Sequence, residues 1–481
     1  MAQAISKAEL LARLPPEPDE AALLPEIRRR VDAGGRKLAV IDDDPTGVQT
    51  VHDVALHLRW HIPTLAAALR DPARLFFLLT NSRSMTGPEA ARINRQTARM
   101  LAEAADETGV PFVVASRSDS TLRGHYPAEV LALQDGLDRS VDGHLLAPAF
   151  FEGGRFTIAD THYVATPTAS SDTLVAASDT PFARDRVFGY ATAWLPGWVE
   201  EKSGGAVKAA QVASLGLELI RAGGPQAVAD ALMKIGGGAP VVVNAAGYGD
   251  LAVVVLGLLQ AEAAGKTFLY RTGASFVRLR GAVEAQPLLA SAAILGDASG
   301  RARGGLVVVG SYVPGSTAQL EQLLALPGAQ GVELSAPRCA ASEEEAAALG
   351  RDCGQRLERI IGAGGVGVLY TSRGLVTGSD DEANLEIGRR VSNALVSAMQ
   401  AVATCPRFIA AKGGITSHVV AQQGLGADSA RAIGQILPGV PVWRLESGAR
   451  LRFPGVPYIV FPGNVGGPDS LAVAVSQLMA G

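Results

Sequence analysis

Short runs of apolar, β-prone residues alternate with longer stretches of helical period along nearly the whole chain. Lys37–Ile41, Leu75–Thr80, Phe112–Ser116, His144–Pro148 and Val241–Asn244 predict one set of strands. Leu306–Val309, Gly367–Thr371, Phe408–Ala411, Val440–Leu445 and Tyr458–Phe461 predict a second. These runs are continuously hydrophobic rather than alternating, as strands covered on both faces are. Between them, Glu89–Thr108, Pro225–Lys234, Ser342–Ile361 and Glu382–Ala403 predict helices. The repetition predicts an α/β fold of two domains, each with a mainly parallel sheet flanked by helices. The expected divisions are an N-terminal helical extension over 1–35, a first domain over 36–285, a linker over 286–304 and a second domain over 305–481. Residues 150–205 are weakly periodic and rich in Gly, Pro, Thr and Ser, which predicts a functional or mobile loop.

The length, 481 residues, exceeds what one core supports, in keeping with two domains. With 48% hydrophobic and 19% charged residues, disorder is excluded. A net charge of −4 argues against a broad basic surface for nucleic acid. Three cysteines without a CxxC pair exclude a disulfide scaffold and suit a cytoplasmic setting. The N-terminus lacks the basic start and apolar run of a signal peptide, and the longest apolar run, Leu251–Leu259, is about half a membrane span. A soluble protein is expected. Two motif matches fail on context. The GxGxxG of Gly362–Gly367 follows a helix and precedes a strand, the reverse of a dinucleotide fingerprint, and reads as a helix cap and turn. Gly265-Lys266-Thr267 lacks the first glycine of a Walker A loop. The histidines show no metal-ligand spacing.

Three polar segments each follow a predicted strand of the first half. Asp42-Asp43-Asp44 opens a turn ending at Gly47. Adjacent carboxylates repel unless a cation, a proton or a donor-rich ligand is near; they suit polyol hydroxyls, Mg²⁺ or proton removal from a hydroxyl. Thr80-Asn-Ser-Arg-Ser84 offers Arg83, a planar fork for a carboxylate or phosphate. Ser116–Gly124 (SRSDSTLRG) adds Asp119 and Arg123. Ligands bind beyond the carboxyl ends of strands in such sheets, so the three converge on one cleft for a hydroxylated carboxylic acid. An Asp-rich turn or hydrated helix cap is the bland alternative for each. In the second half, Gly310–Thr317, Lys412–Ser417 and Phe461–Asp469 are glycine-rich strand-to-helix turns. Bare backbone N–H groups at helix starts suit phosphate, so a non-Walker phosphate cradle is expected.

DDDPTGVQTV, LTNSRS, SRSDSTLRGHYPAE, PAFFEGGR, GSYVPGST, AKGGITS and FPGNVGGPDSL, in this order from Lys37 to the C-terminus, resemble the four-carbon acid sugar kinase family (threonate, erythronate and oxo-tetronate kinases). The resemblance implies a sugar-acid-binding N-terminal domain, a nucleotide-binding C-terminal domain, and ATP-dependent phosphorylation of the terminal (C4) hydroxyl. Carried over, Asp43, Asp44, Arg83, Ser116, Asp119, Ser120, Arg123, Gly124 and His162 bind substrate. Ser311, Ser316, Gly413, Gly414, Ile415, Thr416, Gly463, Asn464, Gly466 and Gly467 bind ATP. Asp44, Asp119 and Lys412 are the expected catalytic residues: one aspartate as base, Lys412 on the phosphates, with Mg²⁺ accompanying ATP and its protein ligands unassigned. Arg83 and Arg123 are expected to hold the substrate carboxylate. The partners implied are a small sugar acid and ATP, with no nucleic acid or membrane, and a homodimer as an open expectation. Residues 182–205 depart from the leaner family pattern, and Tyr190, Trp194 and Trp198 read as packing residues. Alternatives are a kinase of another sugar acid on the same plan, a non-catalytic sugar-acid and nucleotide sensor, and, on the rejected GxGxxG alone, an NAD-dependent dehydrogenase.

Overall fold

The computed structural model describes residues 4–165, 173–310, 314–374, 376, 381–463 and 465–480. The chain divides into two units, 1–51 with 60–285, and 52–59 with 286–481.

The first unit is built on a parallel sheet. Its strands lie in the order Leu75–Leu79, Lys37–Asp42, Phe112–Arg117, Phe268–Thr272, Gly143–Ala147, Ala239–Val243 and Ala213–Leu215. The inner strands are buried on both faces, which explains their unbroken Val, Leu and Phe runs. Crossover helices include Gly87–Thr108, Leu217–Met233 and Tyr248–Ala263. Because all strands run the same way, the Asp42, Thr80, Ser118 and Gly273 segments emerge from one edge. The backbone N–H of Thr80 donates to Asp42 O (2.9 Å) and that of Ser118 to Thr272 O (2.9 Å), tying neighbouring strand ends together.

Residues 150–205, expected as a loop, contain antiparallel strands Arg155–Ile158, Thr161–Ala165 and Thr173–Ala176 and the helix Leu195–Lys202. The strands are too short to register as periodic in sequence. Ile5–Ser6 pairs with the last of them, so the N-terminal extension is not wholly helical. The helix Glu20–Gly34 follows it, opened by the Asp19 carboxylate accepting from Ala21 N–H.

The second unit has a mixed sheet. Strands Pro457–Phe461, Ile409–Lys412, Leu306–Val309, Val366–Thr371 and Ala329–Leu334 are parallel. Val440–Ser447, Ser429–Leu437 and Val54–His57 extend it antiparallel. The stretch expected as a linker belongs to this unit: the helix Ser291–Leu295 buries Ile294 and Leu295 in its core, and Leu289 N–H donates to Gln435 O (2.8 Å). Residues 52–59 also belong to it; Leu58 N–H donates to Asp428 O (2.9 Å) and Gln422 Nε2 to Leu58 O (2.7 Å). The helix ending at Gly362 runs into a turn before the strand at Val366, the helix cap and turn expected there in place of a dinucleotide fingerprint.

Candidate functional site

The Lys37–Asp42 strand delivers three aspartates into three different environments. Asp42 is fully buried; Arg117 Nη1 donates to its Oδ1 (3.4 Å), and Arg117 Nη2 donates to Gln49 Oε1 (3.1 Å). Burial pushes Asp42 up to about 8 against the pull of Arg117. Asp44 ion-pairs with Arg83 and accepts the Thr46 N–H (2.8 Å); burial raises it, but Arg83 and Thr46 outweigh that and hold it low. Asp43 is the outlier. It is buried, its nearest cation among the described residues is Arg83 at 4.0 Å, and there neither carboxylate oxygen has a hydrogen-bond partner. Burial, aided by the charges of Glu129 and Asp44, lifts it to about 7.

The Phe112–Arg117 strand delivers the second cluster. Asp119 meets Arg83 Nη1 (3.2 Å) and accepts from Arg123 Nε (2.8 Å) and the Thr121 hydroxyl. Burial opposes its ionisation, but Arg123 and Arg83 hold the carboxyl far below its usual range. Arg123 also reaches Asp185 (3.4 Å) in the PFARD turn. The structure thus brings Asp43, Asp44, Arg83, Asp119 and Arg123 together, and engages both arginines with aspartates. Ser116 is buried, its hydroxyl 3.5 Å from that of Ser118, which donates to Glu129 (2.9 Å). Ser120 is buried beside them, and a Cβ at Gly124 would stand 3.5 Å from Asp43 Oδ2. His162 lies beneath rather than among these groups. It is fully buried, and Nε2 must donate to the Ser120 carbonyl (2.7 Å), leaving Nδ1 to accept from Thr157 (3.0 Å). Burial lowers it to about 4, so it is neutral.

Several participants carry no signal in the strand-end motifs. Arg271, next to the end of the Phe268–Thr272 strand, pairs with Glu129 (3.3 Å) and donates to the Arg123 carbonyl (3.1 Å). Arg155, Phe182 and Asp185 come from the segment whose periodicity is too weak to place; Phe182 lies under Arg123 at 5.1 Å. Tyr190 is buried with its hydroxyl on the Thr121 carbonyl (2.7 Å), and Trp198 is buried against Tyr126, whereas Trp194 is exposed.

In the second unit, the three glycine-rich turns follow adjacent parallel strands and are cross-tied. Lys412 Nζ donates to Pro462 O (2.6 Å) and lies 4.5 Å from the Phe461 ring. Gln319, on the helix Pro314–Leu324, donates to Val465 O (3.1 Å) and Gly467 O (2.9 Å). A Cβ at Gly310 would sit 2.1 Å from Thr416 Oγ1, so glycine here lets the Thr416 side chain come close. Gly413, Gly414, Gly463 and Gly466 lie in these turns, Ile415 is exposed there, and the buried Ser316 hydroxyl has no partner among the described residues. Burial lowers the Lys412 ammonium to about 7; a phosphate beside it would restore its charge. Ser311 and Asn464 lie outside the described residues. Among the described residues no three His, Cys, Asp or Glu side chains gather as a metal site, and the aspartate run is divided between arginines. These residues do not fit a metal held by protein alone. No helix among them is long and apolar enough to cross a membrane.

Residues 38–280 match the family model described as a sugar-binding N-terminal domain, and residues 306–471 that of a nucleotide-binding C-terminal domain. Fold and site therefore define a two-domain protein that binds a sugar with one half and a nucleotide with the other. The chain belongs to the four-carbon acid sugar kinase family, whose two domains these are. It is similar to Haemophilus influenzae protein HI1011, of the family DUF1537, with 18% identity and a TM-score of 0.57 over 92% of this chain and 100% of that one. It is also similar to a Salmonella typhimurium LT2 protein provisionally described as a tRNA synthase, with 17% identity and a TM-score of 0.62 over 91% and 98%. At these identities the likeness speaks for the fold. No curated protein matches the chain.

Proposed function

We propose that the chain is an ATP-dependent kinase that transfers a phosphoryl group to the C4 hydroxyl of a four-carbon sugar acid such as threonate, erythronate or an oxo-tetronate. The reading rests chiefly on Asp43, a buried carboxylate with unengaged oxygens and an affinity for protons near neutrality, ringed by ion-paired arginines and aspartates. Such a group suits a base that takes a hydroxyl proton at neutral pH. Asp44 and Asp119 are held ionised by Arg83 and Arg123 and are correspondingly weak bases. In this reading Asp43 replaces both as the proton acceptor, while they fix the arginines and receive substrate hydroxyls.

The C4 oxygen attacks the γ-phosphorus, its proton passes to Asp43, and the bond to ADP breaks. Lys412 and the backbone N–H groups of the glycine turns offset charge on the phosphates. Magnesium enters with the nucleotide, and no step here is assigned to a protein-bound metal.

The test is coupled ADP release with MgATP against D- and L-threonate, D- and L-erythronate and the 2-oxo and 3-oxo tetronates. One acid that stimulates release is expected. No stimulation by any of them, with ATP still bound, would move the substrate outside this class.

A further inference from the structure

The deeply buried arginines of the first unit come with carboxylate partners: Arg117 with Asp42, Arg271 with Glu129, Arg280 with Glu262, Arg278 with Glu20. Arg155 does not. It opens the strand Arg155–Ile158 and is 8% exposed, and among the described residues its guanidinium makes no hydrogen bond or ion pair; only its backbone is engaged, with Phe150. Its Nε is sealed from solvent without an acceptor. Burying a cation unpaired is costly unless an anion joins it. The place is built rather than accidental. Arg155 and Arg123 share the ring of Phe182, at 5.8 and 5.1 Å from its centroid. A Cβ on Gly153 would come within 2.5 Å of Arg155 Nη1, so bare backbone makes room for the guanidinium. Arg155 feels the opposing charges of Asp119 and Arg123, which places it beside the candidate site, and burial lowers its pKa below the usual arginine value. Arg83 and Arg123 already answer to Asp44, Asp119 and Asp185.

We propose that Arg155 is the receptor for the substrate's carboxylate, a role expected from sequence for Arg83 and Arg123. The proposal rests on the reading of this unit as a sugar-acid site. A planar guanidinium presents two parallel donors to a carboxylate, and the ring of Phe182 holds the fork against rotation. The anchor selects polyhydroxy acids over the corresponding sugar alcohols, which leave the cation unanswered.

Calorimetric titration of D-threonate, D-erythronate and the uncharged threitol into the full chain, without nucleotide, tests this in the wild type, Arg155→Met and Arg155→Lys. Thermal unfolding of each protein without ligand accompanies it. The wild type is expected to bind an acid and not threitol. Arg155→Met should bind that acid on the order of 10–100-fold more weakly, with an unfolding temperature equal to or above the wild type, because an unpaired buried charge is gone. Arg155→Lys, which keeps charge without the fork, should fall between. Unchanged acid affinity in Arg155→Met overturns the proposal, as does a loss of affinity that merely tracks a lower unfolding temperature. If Arg155→Met does not fold, unchanged affinity in Arg155→Lys overturns it. A wild type that binds acid but releases no ADP from ATP refutes the kinase and leaves the anchor standing; one that binds neither acid removes the anchor.

Discussion

Asp42, Asp43 and Asp44 are chemically identical, and the site separates them by what each one faces. Arg117 answers Asp42, Arg83 answers Asp44, and the Asp43 oxygens have no hydrogen-bond partner among the described residues. Asp43→Asn should lower kcat by about 10²–10⁴ while leaving ATP binding intact. The wild-type rate should rise with pH through about 7, as Asp43 loses its proton, and this limb should vanish in the variant; a pH–rate profile of each decides it. Stability runs the other way. Asp42 and Asp43 have raised folded-state values, so the folded chain holds protons that the unfolded chain has released above about pH 4, and stability falls as pH climbs through 7 to 8. Urea unfolding at pH 6 and 8.5 should show the apoprotein weaker at the higher pH, and Asp43→Asn should reduce the difference. The aspartate run stands out in the sequence as a candidate site, but its division among arginine partners does not, because that depends on which arginines arrive from other strands. Arg155 stood inside the PAFFEGGR segment, yet the lack of a counter-ion is a property of space and leaves no trace in spacing.

At the scale of elements, the chemistry sits where strands hand over to helices. The parallel strands of the first unit were readable because burial on both faces demands unbroken apolar runs. Phe268–Thr272 was missed because it ends in Arg and Thr: the buried Arg271 pairs with Glu129, and Thr272 is tied to Ser118 through its backbone carbonyl, so neither position reads as apolar packing. Ser429–Leu437 alternates buried and half-buried positions, but glycine, serine and arginine blur the alternation. In the nucleotide half, the turns were visible through their glycines, while the cross-ties from Gln319 and Lys412 that make them one structure were not. Gly310→Ala puts a methyl 2.1 Å from Thr416 Oγ1 and forces the Thr416 side chain, or the turn beneath it, to shift. It should weaken ATP binding at least about tenfold and cost roughly 1–3 kcal/mol of stability, with acid binding unchanged. Titration of each ligand separately, with denaturant unfolding, measures both.

On the scale of the whole molecule, the chain passes between its units at three places, because residues 52–59 leave the first unit to join the second and then return. The two-domain plan was readable from the strand series; this excursion was not, since the partner of Val54–His57 lies on a strand at Ser429–Leu437. A protease site engineered between Ala285 and Gln286, once cut, should leave two fragments that still elute together, held by the Val54–His57 strand. Gel filtration after cleavage checks this, and separation of the fragments would show the strand too weak to bind them. Expressed alone, residues 286–481 should aggregate, because Ser429–Leu437 then presents an unpaired edge. The same excursion bears on descent. A new sugar-recognising half spliced onto this nucleotide half inherits a working sheet only if it brings its own matching strand, so lineages would change substrate by altering residues within the cleft rather than by trading halves.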